Sequence, residues 1–306
     1  MTPRLSVCIP AYRQTRYLRR ALDSLREQTF TDFEIVLTDD SPDDEVADFV
    51  ENYQFGPRLR YFHNPRSLGT PENWNEAVRQ SRGELIKILH HDDWLAQPDS
   101  LQTLVDALDA QPEADLVFCA SVATVADTGV VRDVNRPTPA QVDRLRSHPE
   151  ELFAANRIGA PSATLYRRRA GLTYDSILTY TVDTDFYIRL LRQNPALVYV
   201  NEPLVAIGLN EGQVTQSAIA DRGLLLREYA YTYQKLGLNA TRNLKIARFW
   251  WEFFHRHHVH LVADFRAAGY AGPVGWELRM LMGLAPLAGV LGGYLRWKAR
   301  RRVNPK

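Results

Sequence analysis

Two pairs of adjacent aspartates punctuate the first third of the chain. Asp39-Asp40 follows the apolar run Phe33-Glu34-Ile35-Val36-Leu37-Thr38, and Asp92-Asp93 follows Leu85-Ile86-Lys87-Ile88-Leu89-His90-His91. Adjacent carboxylates at a strand end repel each other, and a divalent cation offsets that repulsion because hard cations prefer carboxylate oxygen. The alternative at Asp92-Asp93 is a solvated turn that caps a helix starting near Pro98. In a parallel sheet both pairs fall on the same edge, beside Pro10-Ala11-Tyr12, and that edge is where open α/β sheets bind ligands. The simplest ligand there is a nucleotide with its cation. Tyr12 can stack on a base, an Asp can accept from a base N–H, and the other pair can hold a metal on a diphosphate. The chain has neither a Walker-type glycine pattern nor Gly-x-Gly-x-x-Gly, so no glycine loop cradles the phosphates and the burden shifts to a metal.

The elements that must position these residues are legible as hydrophobic periods. Short apolar runs predict strands over 5–9, 33–37, 59–62, 85–89 and 115–119. Helical spacing predicts helices over 15–28, 43–53, 71–82 and 98–110, with Tyr17, Leu18, Ala21, Leu22 and Leu25 forming one stripe. Regular alternation with short loops implies a mainly parallel, Rossmann-like sheet with helices on both faces. The stretch 128–139 has turn residues and polar breaks. A loop over 156–162 leads into a strand over 163–166, and a helix over 182–193 precedes a strand over 196–200. The last third reads as helical, over 221–236, 242–268 and from 274 onward.

The chain resembles the family-2 glycosyltransferases. The resemblance rests on Ser6-Val7-Cys8-Ile9-Pro10-Ala11-Tyr12, the run from Gln28 through Asp39-Asp40-Ser41, Asn73-Trp74-Asn75, Gly83-Glu84-Leu85-Ile86-Lys87, Leu89-His90-His91-Asp92-Asp93-Trp94-Leu95 and Asp183-Thr184-Asp185-Phe186-Tyr187-Ile188-Arg189. Each piece is weak alone; their order and spacing across roughly residues 4–210 make the signal. The resemblance implies the A-type nucleotide-sugar fold and a donor site of Pro10, Ala11, Tyr12, Asp40 and Asp92, with Asp40 rather than Asp39 facing the base. It implies Asp92 and Asp93 as ligands of Mn²⁺ or Mg²⁺, and Asp183 as the base that takes a proton from the acceptor hydroxyl. The reaction it implies is a single in-line displacement with inversion, from a nucleoside-diphosphate sugar, with UDP as the default, to a hydroxyl of a glycan or lipid-linked glycan in cell-surface polysaccharide synthesis. Pro161 and Ser162 are expected on the acceptor side. The family often has an acid where this chain has His90; a neutral imidazole there can still bind Mn²⁺ or can simply hydrogen-bond nearby, and the non-ligand role is the one expected. That departure keeps a second reading open, a catalytically weakened nucleotide-sugar-binding or scaffold protein of the same fold.

Net charge is +1 over 306 residues, so no global field points to nucleic acid. Cys8 and Cys119 both sit in apolar strand-like runs, which fits a reducing compartment better than a disulfide scaffold. No long apolar segment follows the N-terminal strand, so no signal peptide is expected. His255, His257, His258 and His260 follow an aromatic helix with no nearby acid to complete a metal site, and read as packing or interfacial residues. Residues 280–295 carry no charge but are short of the ~20 needed to span a bilayer. Arg296, Lys298, Arg300, Arg301, Arg302 and Lys306 follow without an acid, a cluster that attracts anionic headgroups. The expected organisation is a nucleotide-sugar-binding half over 1–120, an acceptor-side half over 121–215 and a helical region over 216–306 whose tail is expected to anchor at a membrane surface, the alternative being a helix pair packed on the catalytic domain or on a second subunit. The expected setting is cytoplasmic and peripheral at the inner face of the cell membrane, with a homodimer as a further expectation.

Overall fold

The computed structural model of the protein describes residues 2–210 and 213–287. Its contacts divide the chain into two units, residues 1–152 with 156–214, and residues 153–155 with 215–306.

The first unit is built on one mixed sheet. β1 (Leu5–Ala11) is its organising strand, parallel to β2 (Phe33–Asp39) on one side and to β4 (Leu85–Ile88) on the other. Every residue of these three strands is buried, as expected for strands covered on both faces. β3 (Leu59–His63) extends the parallel set beyond β2. On the other flank β8 (Thr164–Arg167) runs antiparallel between β4 and β6 (Leu116–Val125), and β9 (Leu197–Leu209) runs parallel to β6. β5 (Trp94–Leu95) closes the edge antiparallel to β9. The mainly parallel α/β architecture read from the sequence is the one that forms, and β6 crosses residue 120, so the stretches on either side of it share one sheet. The helices are α1 (Thr15–Arg26), α2 (Glu45–Tyr53), α3 (Glu72–Gln80), α4 (Ser100–Asp109), α5 (Pro139–Ser147) and α6 (Val182–Gln193). The stripe Leu18, Ala21, Leu22 and Leu25 on α1 packs into the main core with Val7, Ile9 and Ile35.

Two features of this unit differ from the sequence expectation. The broken stretch after residue 128 contains β7 (Val131–Asn135), a hairpin partner of β6 whose first four residues are exposed. An exposed edge strand buries too little apolar surface to leave a period in the sequence. β9 runs on to Leu209 rather than stopping at residue 200. Asn201-Glu202-Pro203 reads as a terminator, yet the chain absorbs it as an irregularity in the pairing with β6 around Ala120, a place where proline is tolerated in a sheet.

The second unit is helical, from α7 (Val214–Ala220) at its border through α8 (Arg222–Lys235), α9 (Leu244–Arg256), α10 (Val262–Ala267) and α11 (Trp276–Leu284). Trp250, Phe253, Phe254 and Phe265 are buried here, with the Trp250 and Phe254 rings 5.1 Å apart. The single helix expected over 242–268 is two helices. His258 has a left-handed backbone (φ 51°), and Arg222 donates to the carbonyls of His257 and His258. Asp264 then accepts from the amides of His260 and Leu261 at 2.9 Å each, which starts α10. The His257 ring packs on Phe253 at 4.3 Å, a packing role as expected. The apolar tail and basic cluster lie largely outside the described residues; among those described, no helix is long and apolar enough to cross a membrane.

Candidate active site

The register of the parallel strands brings the two aspartate pairs to one edge. Ala11 stands opposite Asp39 and Cys8 opposite Ile88, so the C-terminal end of β1 lies between the two pairs. The amide of Asp40 donates to the Ala11 carbonyl at 3.0 Å, and His91 Nδ1 donates to the Pro10 carbonyl at 3.3 Å. Pro10 and Ala11 are buried, whereas the Tyr12 ring is exposed, with the Arg13 guanidinium over it at 5.5 Å. An exposed ring beside a carboxylate-lined edge suits base stacking.

Asp39 and Asp40 serve the loops around them. Asp39 accepts from Tyr61 Oη and the Ser41 amide, both at 2.8 Å. Asp40 accepts from Asn64 Nδ2 at 2.7 Å, from the Leu68 amide at 3.0 Å and from the Gly69 amide at 2.7 Å, with Ser67 Oγ at 3.3 Å. These donors use the lone pairs of the Asp40 carboxylate, so a base N–H reaches it only when one of them yields. Asn73 ties the ends of β1 and β2 together, donating to the carbonyls of Ala11 and Thr38. Asn75 clamps the Tyr174 backbone at 2.9 Å through both its oxygen and its nitrogen. Both asparagines are structural.

Asp92 and Asp93 form a different kind of site. Together with His90 they offer one ligand atom each within 4.8 Å of one another, the one such group of three or more among the described residues. Asp93 is 1% exposed; its Oδ1 accepts from the Gly208 amide at 2.9 Å, and its Oδ2 has no hydrogen-bond partner. His90 Nδ1 lies 3.6 Å from that oxygen, too long for a hydrogen bond, and His90 Nε2 is also buried and unpartnered. Burial first, and then the neighbouring Asp92 charge, push the Asp93 carboxyl well above the usual carboxylate range. Burial lowers the His90 imidazole to about 4, so it is neutral at physiological pH. Buried polar atoms left without a partner, here Asp93 Oδ2 and His90 Nε2, are unfavourable on their own. The set of two carboxylates and one neutral imidazole fits a divalent cation such as Mn²⁺ or Mg²⁺.

Sequence reasoning missed the residues that brace this turn. Asn210 Nδ2 donates to Asp92 Oδ2 at 2.8 Å and Gln213 Nε2 to the same oxygen at 3.4 Å. The end of β9 therefore grips the metal-type turn. The apolar run Leu204-Val205-Ala206-Ile207 was the available signal for Gly208; Asn210 and Gln213 leave none. Lys87 is also unexpected. It is fully buried, its Nζ donates to the carbonyls of Ser162 and Thr164, and burial lowers it to about 8.

Asp183 lies in the first turn of α6, where the helix dipole favours a carboxylate. It accepts from the Thr184 amide at 2.7 Å and from Asn156 Nδ2 at 2.8 Å. Burial outweighs these bonds and raises its carboxyl to about 6. Pro161 and Ser162 are buried, and Ser162 Oγ accepts from the His90 amide at 3.0 Å. One loop thus touches both centres, with Asn156 at Asp183 and Ser162 at His90. Asp185, by contrast, pairs with Arg189 at 2.8 Å and is structural.

The architecture matches solved glycosyltransferases with the A-type fold. The first 349 residues of S. aureus TarS, solved with UDP-GlcNAc, align at a TM-score of 0.61 and 20% identity over 93% of this chain and 79% of that one. A longer TarS chain aligns at 0.63, and this chain spans 53% of its length. A Pyrobaculum calidifontis mannosyltransferase, solved with GDP-Man and Mn²⁺, aligns at 0.54 and 18% identity over 98% of this chain and 84% of that one. In sequence, the putative glycosyltransferase EpsH of Bacillus subtilis is 28% identical over 238 residues, 74% of this chain and 68% of that protein. Residues 6–173 match the family Glycosyl transferase family 2, and the chain belongs to it.

Proposed function

We propose that this glycosyltransferase moves a sugar from a UDP-sugar to a hydroxyl of a glycan or lipid-linked glycan, with inversion, in cell-surface polysaccharide synthesis at the inner face of the membrane. The observation that carries the reading is the unpartnered, buried Asp93 Oδ2 beside His90 and Asp92. UDP is preferred as the donor nucleotide because the TarS neighbour was solved with UDP-GlcNAc, although the mannosyltransferase neighbour holds GDP-Man.

Pro10, Ala11 and Tyr12 line the base and ribose, with Tyr12 stacking on the base and Asp40 setting the wall behind it. Asp92, Asp93 and His90 hold the cation. When bound, that cation neutralises charge on the departing diphosphate. Asp183 accepts the acceptor's proton, and its raised pKa brings it closer to operating pH, where a general base works best. Asn156 fixes the orientation of that carboxylate, and the loop over 156–162 borders the acceptor. The basic C-terminal segment brings the enzyme to a membrane carrying its acceptor.

The test is release of nucleoside diphosphate from a panel of UDP-glucose, UDP-GlcNAc and GDP-mannose in the presence of Mn²⁺. Release from a UDP-sugar, reduced at least ~10²-fold by Asp183→Asn, supports the reading. Tight nucleotide binding without release from any donor supports the scaffold reading instead.

A further inference from the structure

α11 is apolar on both sides. Leu278, Leu281, Met282 and Ala285 are buried against the second unit, which accounts for one face. Trp276, Met280 and Leu284 follow at i, i+4 and i+8 on the opposite face and are 68%, 47% and 42% exposed, and Leu287, just past the end of the helix, is 51% exposed. A surface helix normally presents polar residues outward; α11 carries Glu277 and Arg279 between its two apolar faces, and an exposed apolar stripe rimmed by polar residues marks a contact with a partner or a membrane. A tryptophan at the start of the stripe has the amphipathic character that favours a membrane–water interface.

Charge says what kind of phase it is. Residues 242–306 hold twelve of the 37 Lys and Arg residues but three of the 36 Asp and Glu residues. They carry +9, while the first 241 residues carry −8. A nearly neutral protein has therefore concentrated its positive charge in the region that displays the apolar stripe. Basic charge in the same stretch of sequence as an exposed tryptophan and leucines matches an anionic bilayer surface. It does not match a second copy of the same face, which would bring like charges together.

We propose that the outer face of α11, through Trp276, Met280 and Leu284, with Leu287 just beyond the helix, inserts into the headgroup region of an anionic membrane. This rests on the membrane-peripheral reading above and adds the surface that performs it. The helix lies in the plane of the interface.

The test is co-sedimentation of the full chain with vesicles of phosphatidylglycerol and phosphatidylcholine, and with phosphatidylcholine alone, alongside Trp276→Ser/Leu284→Ser and a chain ending at residue 287. Circular dichroism and nucleotide binding confirm that the variants are folded. The wild type should bind the anionic vesicles, and the double variant should bind at least about tenfold more weakly. Equal binding by the double variant, with loss of binding in the truncated chain, would leave the membrane reading standing and overturn the α11 surface. A wild type that ignores vesicles would overturn both. If it also forms a dimer that the double variant dissolves, the covering partner is a second copy.

Discussion

Gly208 sits against Asp92 so closely that a Cβ built on it would lie 2.0 Å from the Asp92 carbonyl oxygen. Its amide meanwhile donates to Asp93 Oδ1. The last residues of β9 and the turn after β4 are therefore one mechanical piece, and Gly208 is the only residue type that lets them meet. Gly208→Ala must push the Asp92-Asp93 turn away from β9. Mn²⁺ affinity and turnover should both fall at least ~10-fold, the scale seen when support for a metal ligand is lost. Titration calorimetry with Mn²⁺ checks the first and donor hydrolysis the second.

Asp183 carries opposing demands. A general base must be ionised, so activity should rise with pH through about 6 and level off above it. The folded carboxyl is raised above its unfolded value, so the folded state holds the proton more tightly. Stability from this group is present below the unfolded value and is lost as the pH rises through about 6. Asp183→Asn should abolish the acidic limb of activity and flatten the stability profile in that window, as read by thermal denaturation between pH 4 and pH 7, a range spanning the ordinary aspartate value of ~4.

Asn156 is the positioning residue for that base. Its Nδ2 hydrogen bond favours the charged carboxylate, so its loss raises the Asp183 pKa further. In Asn156→Ala the acidic limb of kcat/KM should move to higher pH, while nucleotide affinity is unchanged. A purely structural role would lower activity without moving the limb.

His90 stands where the family often has an acid, and its imidazole enters the cluster with Asp92 and Asp93. A nitrogen ligand raises preference for Mn²⁺ over Mg²⁺, which favours oxygen-only octahedra. His90→Asp should narrow the Mn²⁺ preference, and His90→Ala should weaken Mn²⁺ about tenfold or more. The Mn²⁺ resonance signal, titrated against Mg²⁺, reports both without relying on turnover.

Much of this was legible before the structure. The strands that carry Asp39-Asp40 and Asp92-Asp93 are short apolar runs between helices of clear period, and their parallel register follows from that alternation. α6 spans the expected 182–193, because its apolar period is strong and unbroken. What escaped was contributed from a distance. Asn156, Gly208, Asn210 and Gln213 brace the site from loops and a strand end, where polar residues have no period. Asp40 kept its place but not its freedom, since the 64–69 loop occupies its oxygens. His90 was expected outside the metal set because its type breaks the acidic pattern; a ring nitrogen nonetheless lies within 4.8 Å of carboxylate oxygens of Asp92 and Asp93, a proximity that no sequence displays.

The central claim is that Asp93 serves a nucleotide's cation. Titration calorimetry of UDP with Mn²⁺ and with a chelator, on wild type and on Asp93→Asn, tests it most directly. The asparagine keeps an acceptor for the Gly208 amide but replaces the charged Oδ2 with an amide nitrogen that cannot ligate a cation. UDP should bind the wild type only with Mn²⁺, and the substitution should weaken it at least ~100-fold, about 2.7 kcal/mol. UDP binding that is unchanged by the chelator, or by Asp93→Asn, would contradict the account.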